Sequence, residues 1–360
     1  MRDSVRLLHL LRQTTTPILA VLVAALFSSA ASASPASTLF AFNVSPNGNT
    51  PSTELVADES GYAYGTTEAG GDPRTGGGVV FRIAPGGALE VLHRFGTVPF
   101  DGLRPLGRLL YSGGRLYGTT SAGGAGARGT LFALEADGTG YEILHDFGAR
   151  AGDGMDPRAG VTAFSGRLWG TTFVGGRRGS GTVFSFDPEK REYAVVVDFD
   201  PSSSTGFHPD EPVAFADGRG FGIASEGGAA GKGAIFSFLP DGSAVAGVHA
   251  FDVSVSNGYL PDGPLTASGS VLYGVTDGGG PKGVGIVYAV GSDGGGFRIV
   301  HAFGGGSADG AEPAGALLVA DGVIYGTTAF GGAADWGVAY ALKDGGDFSV
   351  LHSFPTDGSD

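Results

Sequence analysis

The chain has no cysteine, so neither a disulfide framework nor a thiolate metal site is available to hold it together. Basic charge is scarce as well: 22 Lys and Arg stand against 36 Asp and Glu, for a formal net charge of −14. A surface that acidic repels phosphate backbones and anionic headgroups, which argues against nucleic-acid and membrane-surface partners. Long apolar runs are missing too. The run from Ile18 to Phe27 falls short of the roughly 20 residues that a membrane span needs. With no helical periodicity in the body of the chain, stability has to come from a β core.

The N-terminus reads as a targeting segment. Arg2, Arg6 and Arg12 precede the apolar run, and Ala31-Ser32-Ala33 supplies the small residues a signal peptidase reads. Residues 1–33 are therefore expected to be a signal peptide, leaving a mature chain from near Ser34 that is secreted (extracellular, cell-surface or periplasmic) and does not insert in a membrane. A retained N-terminal anchor is the alternative. Residues 1–33 carry three Arg and one Asp, so their removal takes the formal charge to −16.

What the chain has in abundance is glycine, 68 residues, at regular positions. Tyr-Gly-Thr-Thr at Tyr64 returns at Tyr117 and Tyr325, with variants at Trp169, Phe221 and Tyr273, the starts being 53, 52, 52, 52 and 52 residues apart. A fixed period of this length marks one supersecondary unit that cannot bury its apolar face alone. A second marker agrees. Phe42, Phe95, Phe147, Phe199, Phe251, Phe303 and Phe354 frame six repeats, 43–95, 96–147, 148–199, 200–251, 252–303 and 304–354, within an expected domain of residues 34–360.

Each repeat parses as four strands. In the second, these are Gly107 to Tyr111, Arg115 to Thr120, Thr130 to Glu135 and Tyr141 to Phe147. Asp137-Gly138 marks a hairpin whose two central residues both favour positive φ. Four antiparallel strands in about 50 residues is the size of a propeller blade. The expected fold is all-β, a six-bladed β-propeller of four-stranded antiparallel blades. Two segments compete to complete the last blade, Leu39 to Phe42 and Phe348 to Phe354, and one of them is surplus.

The pattern Leu-Tyr-Gly-Thr-Thr, Gly-Gly, Gly-Thr-Val/Leu-Phe, Leu-His-x-Phe resembles the GloVer tandem repeat of bacterial choice-of-anchor surface proteins. It extends from Leu39 to Phe354. The resemblance implies an exported β-propeller and names no activity. The sequence departs from the family in showing no C-terminal sorting signal; after Phe354 it runs Pro355-Thr356-Asp357-Gly358-Ser359-Asp360, which reads as the opening of another unit.

Residues present in every repeat are first folding residues. Asn47, Asp101, Asp153, Thr205, Asn257 and Asp309 share one position, each followed by Gly and, three residues later, Pro. Asn and Thr could not serve a carboxylate metal ring, so closure of a turn is the preferred reading. His93, His145, His249, His301 and His352 precede a framing Phe by two, where Phe40 and Val197 also occur. Such tolerance favours packing over catalysis or zinc. Two-residue spacing would put each His on the strand face of Val91 or Ile143 and of the Phe. The Gly of each Tyr-Gly-Thr-Thr predicts close approach of another backbone or of a ring from the next blade. The motif's last Thr, replaced by Ala224, predicts a strand hydrogen bond. No metal site or cofactor is expected.

Function is expected where the chain departs from its own repeat, on the face carrying the second-to-third and blade-to-blade connections. The basic departures there are Arg74, Arg128, Arg177, Arg178, Lys232 and Lys282. Glu226 and Asp335 are acidic departures on the same loops, and His208 with Asp210 and Glu211 is the one local group that looks like acid/base equipment. Trp336 could stack on a sugar or anchor a partner. The leading expectation is a non-catalytic recognition or structural module for an extracellular protein or polysaccharide. The alternative is a carbohydrate-active lyase or hydrolase using His208, Asp210, Glu211 and Glu226, and a third class is a Ca²⁺-stabilised scaffold.

Overall fold

The computed structural model describes residues 5–9, 19–25, 37–42, 46–51 and 53–355. The expected cleavage point after Ala33 lies outside them. Six four-stranded antiparallel sheets follow one another along the chain, in simple up-and-down order, as the blades of a β-propeller. Blade 2 shows the pattern: Leu110–Ser112, Arg115–Thr120, Thr130–Glu135 and Glu142–Asp146, each hydrogen-bonded to the next in the chain. The second and third strands match their sequence-expected bounds, because alternation there is uninterrupted. The first starts three residues later than expected, since Gly107 is taken up by a close contact with Ala159 and Gly160 of blade 3.

The turns divide their chemistry differently from the expectation. At Asp137-Gly138 only the glycine is left-handed, at φ 88°. Asp137 instead accepts hydrogen bonds from Thr139 N and Oγ1 at 2.9 and 2.7 Å. The turns with two left-handed residues join the first strand to the second, at Ser165-Gly166, Asp217-Gly218 and Asp321-Gly322. That is the geometry a two-residue hairpin needs to follow the strand twist.

The core lies between blades. Five apolar clusters each join one blade to its successor; one contains Tyr117, Leu131 and Phe147 from blade 2 with Val161, Leu168 and Phe184 from blade 3. A sheet has two apolar faces here, so every blade is incomplete without neighbours on both sides.

A β-bulge recurs between the third and fourth strands of all six blades, at Val80/Phe81, Leu131/Phe132, Val183/Phe184, Ile235/Phe236, Val287/Tyr288 and Ala339/Tyr340. It corrects the expected placement of the histidines. One added residue breaks the period of two, so Val91 packs beside Phe42 and Phe81 while Leu92 and Phe95 face blade 2. His93 meets Phe95 edge-on and stacks on blade 2, away from Val91.

The repeated glycine also has a different neighbour from one of those expected. A Cβ on Gly118 would stand 2.6 Å from the Phe132 ring, and on Gly170 2.5 Å from Phe184. Both rings belong to the third strand of the same blade, directly opposite in register. In blades 5 and 6 the ring is Tyr288 or Tyr340, whose buried hydroxyls have no hydrogen-bond partner among the described residues. The last Thr of the motif does form the expected hydrogen bond: Thr120 Oγ1 donates to Ala122 O at 3.0 Å and accepts from Thr130 N at 3.1 Å.

Of the two segments that could complete blade 6, Phe348–Ser353 pairs with Val338–Lys343 and finishes it. Ser37–Ala41 pairs with Leu19–Ala25, which in turn pairs with Val5–His9. Phe42 then packs on Phe81 of blade 1 at 5.0 Å, the contact that Phe95 makes with Phe132 one blade later. Phe40 and Phe42 thus cover the face of the first blade that is turned away from blade 2. Blades 6 and 1 also meet through Ala316 N, which donates to Glu54 Oε1 at 3.3 Å.

Two substitutions test this packing. Gly118→Ala should lower unfolding free energy by about 1–3 kcal/mol, the usual cost of overpacking. Tyr340→Phe should raise it by about 1 kcal/mol, since it removes a buried hydroxyl that has no partner. Urea denaturation measures both; a neutral Gly118→Ala would mean that the Phe132 ring does not rest on the glycine.

Candidate functional site

One constellation at the blade interfaces has the appearance of catalytic equipment. His93 Nε2 lies 3.2 Å from Asp101 Oδ2, and its ring stacks on Tyr141 of blade 2 with centroids 3.6 Å apart. His145 repeats this with Asp153 and Tyr193, His301 with Asp309 and Phe348, and His249 with Asn257 and Phe297. A carboxylate behind an imidazole is how a general base is oriented. Here, however, the carboxylate is spent on its own turn: Asp101 accepts from Gly96 N, Thr97 N and Gly102 N, and Tyr141 Oη donates to it at 2.6 Å. With the His93 and Asp101 side chains only 10% and 1% exposed, the group is a staple between blades.

The staple combines the two repeated positions that were read separately in the sequence. Turn closure is correct for the Asp, and packing is correct for the His. Their pairing was legible as covariation between repeats: where Val197 replaces His, Thr205 replaces Asp and Val245 replaces the stacking aromatic. Burial pushes the Asp101 carboxyl up, but hydrogen bonds from His93 and Tyr141, with the charge of His93, outweigh it and hold it below the ordinary carboxylate range. For His249, burial dominates over the hydrogen bond with Asn257 and holds the imidazole below its usual value.

The residue before each repeated Pro is a different matter. Thr50, Arg104, Asp156, His208, Leu260 and Glu312 all adopt left-handed backbone, with φ from 53° to 59°. That conformation costs an L-residue roughly 1–2 kcal/mol. It is held by bridging two blades: His208 N donates to Ser180 O of blade 3 at 2.9 Å, and His208 O accepts from Ser225 Oγ of blade 4 at 2.7 Å. Arg104 and Asp156 bond in the same way, to Gly77 and Ser121 and to Arg128 and Phe173. Net hydrogen bonds of about 1 kcal/mol each offset the strain. Six backbone-identical positions around the inner strands therefore carry six different side chains.

Around His208 these side chains assemble into a surface cluster. His208 Nδ1 lies 3.1 Å from Glu226 Oε1, and its ring stacks on Phe173 with centroids 4.6 Å apart. Phe207 meets the same imidazole edge-on. The Arg158 guanidinium lies 3.5 Å from the Phe173 centroid and pairs with Asp156 at 2.8 Å. Glu226, His208, Phe173, Arg158 and Asp156 thus form one row across blades 3 and 4. In this row the Phe173 ring carries the Arg158 guanidinium over its face and the His208 ring stacked on it.

The structure brings together only part of the sequence-predicted set. His208 and Glu226 meet. Glu211 turns away towards the axis, where its Oε1 accepts from Gly263 N of blade 5 at 3.2 Å; half-buried Asp210 precedes it on the same segment. Arg177 and Arg178 are exposed at the tip of the blade 3 loop, Arg178 3.5 Å from Asp200. Lys232 is exposed on the matching loop of blade 4. Asp335 closes its own turn by accepting from Gly331 N at 2.8 Å, and Trp336 is 41% exposed. Phe173 and Arg158 were not predicted: nothing in the spacing shows that residue 173 stacks on residue 208. No cluster of three or more His, Asp or Glu suited to a metal occurs among the described residues.

Fold and site together define a six-bladed tandem-repeat propeller. Residues 23–212 and 208–360 match the family described as the Gloeobacter/Verrucomicrobia repeat, and the chain belongs to that family. This bears out the resemblance seen in the sequence. No curated protein matches it. Among solved structures, a protein assigned as a 6-phosphogluconolactonase from Bacteroides uniformis aligns at TM-score 0.57 and 16% identity, over 98% of this chain and 96% of that one. TolB from Acinetobacter baumannii (TM-score 0.48, 12% identity, 82% and 62% covered) and a chain of a nidogen/laminin complex (0.49, 13%, 82% and 96%) are more distant in shape. At such identities the likeness is one of fold.

Linkage makes the staples testable. A carboxyl held below its unfolded value contributes stability that is present above about pH 4 and lost as pH falls. Asp101→Asn should therefore cost about 2 kcal/mol at pH 7, with the deficit shrinking in acid. His249, held low, makes the fold lose stability as pH drops below about 6.5, and His249→Phe should flatten that part of the curve. Thermal melts from pH 3 to 8 read both; an Asp101→Asn curve running parallel to wild type would refute the linkage.

Proposed function

We propose that this chain is an exported, non-catalytic recognition module that binds a protein or polysaccharide through the loop face centred on His208. The observation that carries this reading is the row Glu226–His208–Phe173–Arg158–Asp156. It stands where the repeat has given up its staple, at Val197, Thr205 and Val245, and it is presented by strained backbone that blades 3 and 4 both hold in place. A row of charged groups and an imidazole ordered on one half-buried ring suits hydrogen bonding and ion pairing with the polar surface of a protein or polysaccharide. Arg177, Arg178 and Lys232 border the row on the outer loops of the same two blades and give it a basic rim. Trp336, in blade 6, is a second contact. Export follows from the Arg-flanked apolar run and Ala31-Ser32-Ala33.

The His208–Glu226 pair favours one second reading, a carbohydrate-active lyase or hydrolase with these two as acid and base. Against it, Glu211 is engaged with blade 5, so the larger acid/base set expected from the sequence is divided.

A glycan and extracellular-protein binding screen of residues 34–360 decides between them. Recognition predicts at least one ligand whose affinity falls ten-fold or more in His208→Ala or Trp336→Ala, with wild-type melting temperature and no turnover. Depolymerisation of a bound glycan that His208→Ala abolishes would establish the enzyme instead. Sequencing the N-terminus of the exported protein should find Ser34; an intact Met1 would favour a retained anchor.

A further inference from the structure

The connection from blade 2 to blade 3 runs Gly148-Ala149-Arg150-Ala151-Gly152 and gathers arginine from three segments. Arg150 stands at its middle. The stem of Arg128, from the blade 2 loop, lies over Gly148, where an added Cβ would come within 2.7 Å of Arg128 Cγ. At the other end Arg177, from the blade 3 loop, lies over Gly152, with its Cγ 3.3 Å and its Nε 3.9 Å from such a Cβ. Four residues of chain reach at most about 14 Å, so three guanidinium-bearing side chains share one short loop. All three residues are exposed, and none forms an ion pair among the described residues. The half-buried carboxylates that end the adjoining strands are turned to backbone: Asp146 accepts from Ala125 N at 2.7 Å and Asp198 from Arg177 N at 3.1 Å. Arg178, next in the chain, is balanced by Asp200 at 3.5 Å.

The arrangement is particular to this corner of the array. In the neighbouring repeats the same positions hold Gly77 and Ser180 for Arg128, Val98 and Ser202 for Arg150, and Ala125 and Ala229 for Arg177. Unpaired like charges this close repel one another in the free protein, and an anionic chain laid across them relieves that repulsion. The net charge of −14 does not prevent its approach. At physiological ionic strength exposed charges are screened beyond about 8 Å, so the guanidiniums govern the potential at their own loop. We propose that this patch docks an anionic polysaccharide, whose acidic groups pair with Arg128, Arg150 and Arg177; this rests on the recognition reading and narrows its ligand. Each guanidinium offers paired N–H donors to an oxyanion. Spread over an exposed loop, three cations engage an extended chain with several anionic groups rather than one small ion. A protein partner would need an apolar anchor at the centre of its footprint. Here the floor is glycine and alanine, and exposed large apolar residues such as Phe100, Val253 and Trp336 belong to other loops.

The test is calorimetric titration of the exported protein with polygalacturonate, dextran sulfate, neutral dextran, poly-L-glutamate and oligothymidylate. At least one of the two anionic polysaccharides should bind ten-fold or more tightly than the other three probes. Its affinity should fall about ten-fold or more between about 50 and about 200 mM NaCl, as release of roughly three counterions requires. Arg128→Gln, Arg150→Gln and Arg177→Gln should each weaken it several-fold and the triple variant at least ten-fold, while Lys343→Gln, at an exposed cation where blade 6 turns from its third strand to its fourth, leaves it unchanged. Exposed and unpaired side chains contribute little to folding, so melting temperatures should stay within a few degrees of wild type. Should the triple variant not fold, the single variants carry the test. No binding of either polysaccharide at the lower salt, equal or tighter binding of polyglutamate or oligothymidylate, or affinity that survives the folded arginine variants overturns the proposal. The recognition reading then still stands if the loop-face screen finds another ligand that His208→Ala or Trp336→Ala weakens, so the two failures are told apart.

Discussion

Each blade is a sheet with two apolar faces, and the structure depends on covering both. A single sheet cannot do so, and there is no helix among the described residues to pack over it. The solution is to lay the next blade on each face, so that Phe147 of blade 2 meets Phe184 of blade 3 and the pattern repeats around the array. The bulge before each framing Phe makes this possible. By adding one residue it turns Leu92 and Phe95 towards the following blade while Val91 stays with the preceding side. One strand thereby serves two cores.

The same constraint explains why the repeated polar residues are not sites. Each His–Asp–aromatic staple consumes its hydrogen-bonding capacity in joining a turn to two blades. Where it is absent, between blades 3 and 4, aromatic packing replaces it: Phe164 stacks on Phe215 at 4.0 Å, and Trp169 meets both Phe215 and Phe238. That interface is held from its inner side, which frees the loop above it to carry a different set of side chains. The strained residue before each Pro acts as a fixed mount. Its backbone is the same in all six copies, while its side chain ranges from Arg104 to Leu260.

Much of the architecture could be read from the residues. Period, blade number and strand order follow from Tyr-Gly-Thr-Thr and the framing Phe, because these residues recur at every copy's most crowded points. The face expected to carry function is the one on which the His208 row lies. Errors arose where local rules met the next strand or blade. The bulge was invisible because a count by two assumes an unbroken ladder. The ring over Gly118 was sought in a neighbouring blade, whereas register places Phe132 opposite it in its own. His208 was grouped with Asp210 and Glu211, next to it in sequence, but these are not the residues that its side chain meets. The residues that do meet His208 are 35 and 18 positions away, Phe173 and Glu226.

The sequence by itself determined that this protein is a propeller. Hydrophobic alternation, turn glycines and an almost constant period are local properties, and six consistent copies leave one way to bury them. Only the tertiary structure decided what the departures from the repeat amount to. Phe173 and His208 are 35 residues apart, yet their rings stack because blades 3 and 4 stand side by side. Contacts within a strand follow from spacing; contacts between blades follow from how the faces pack, and the candidate sites are made of the second kind.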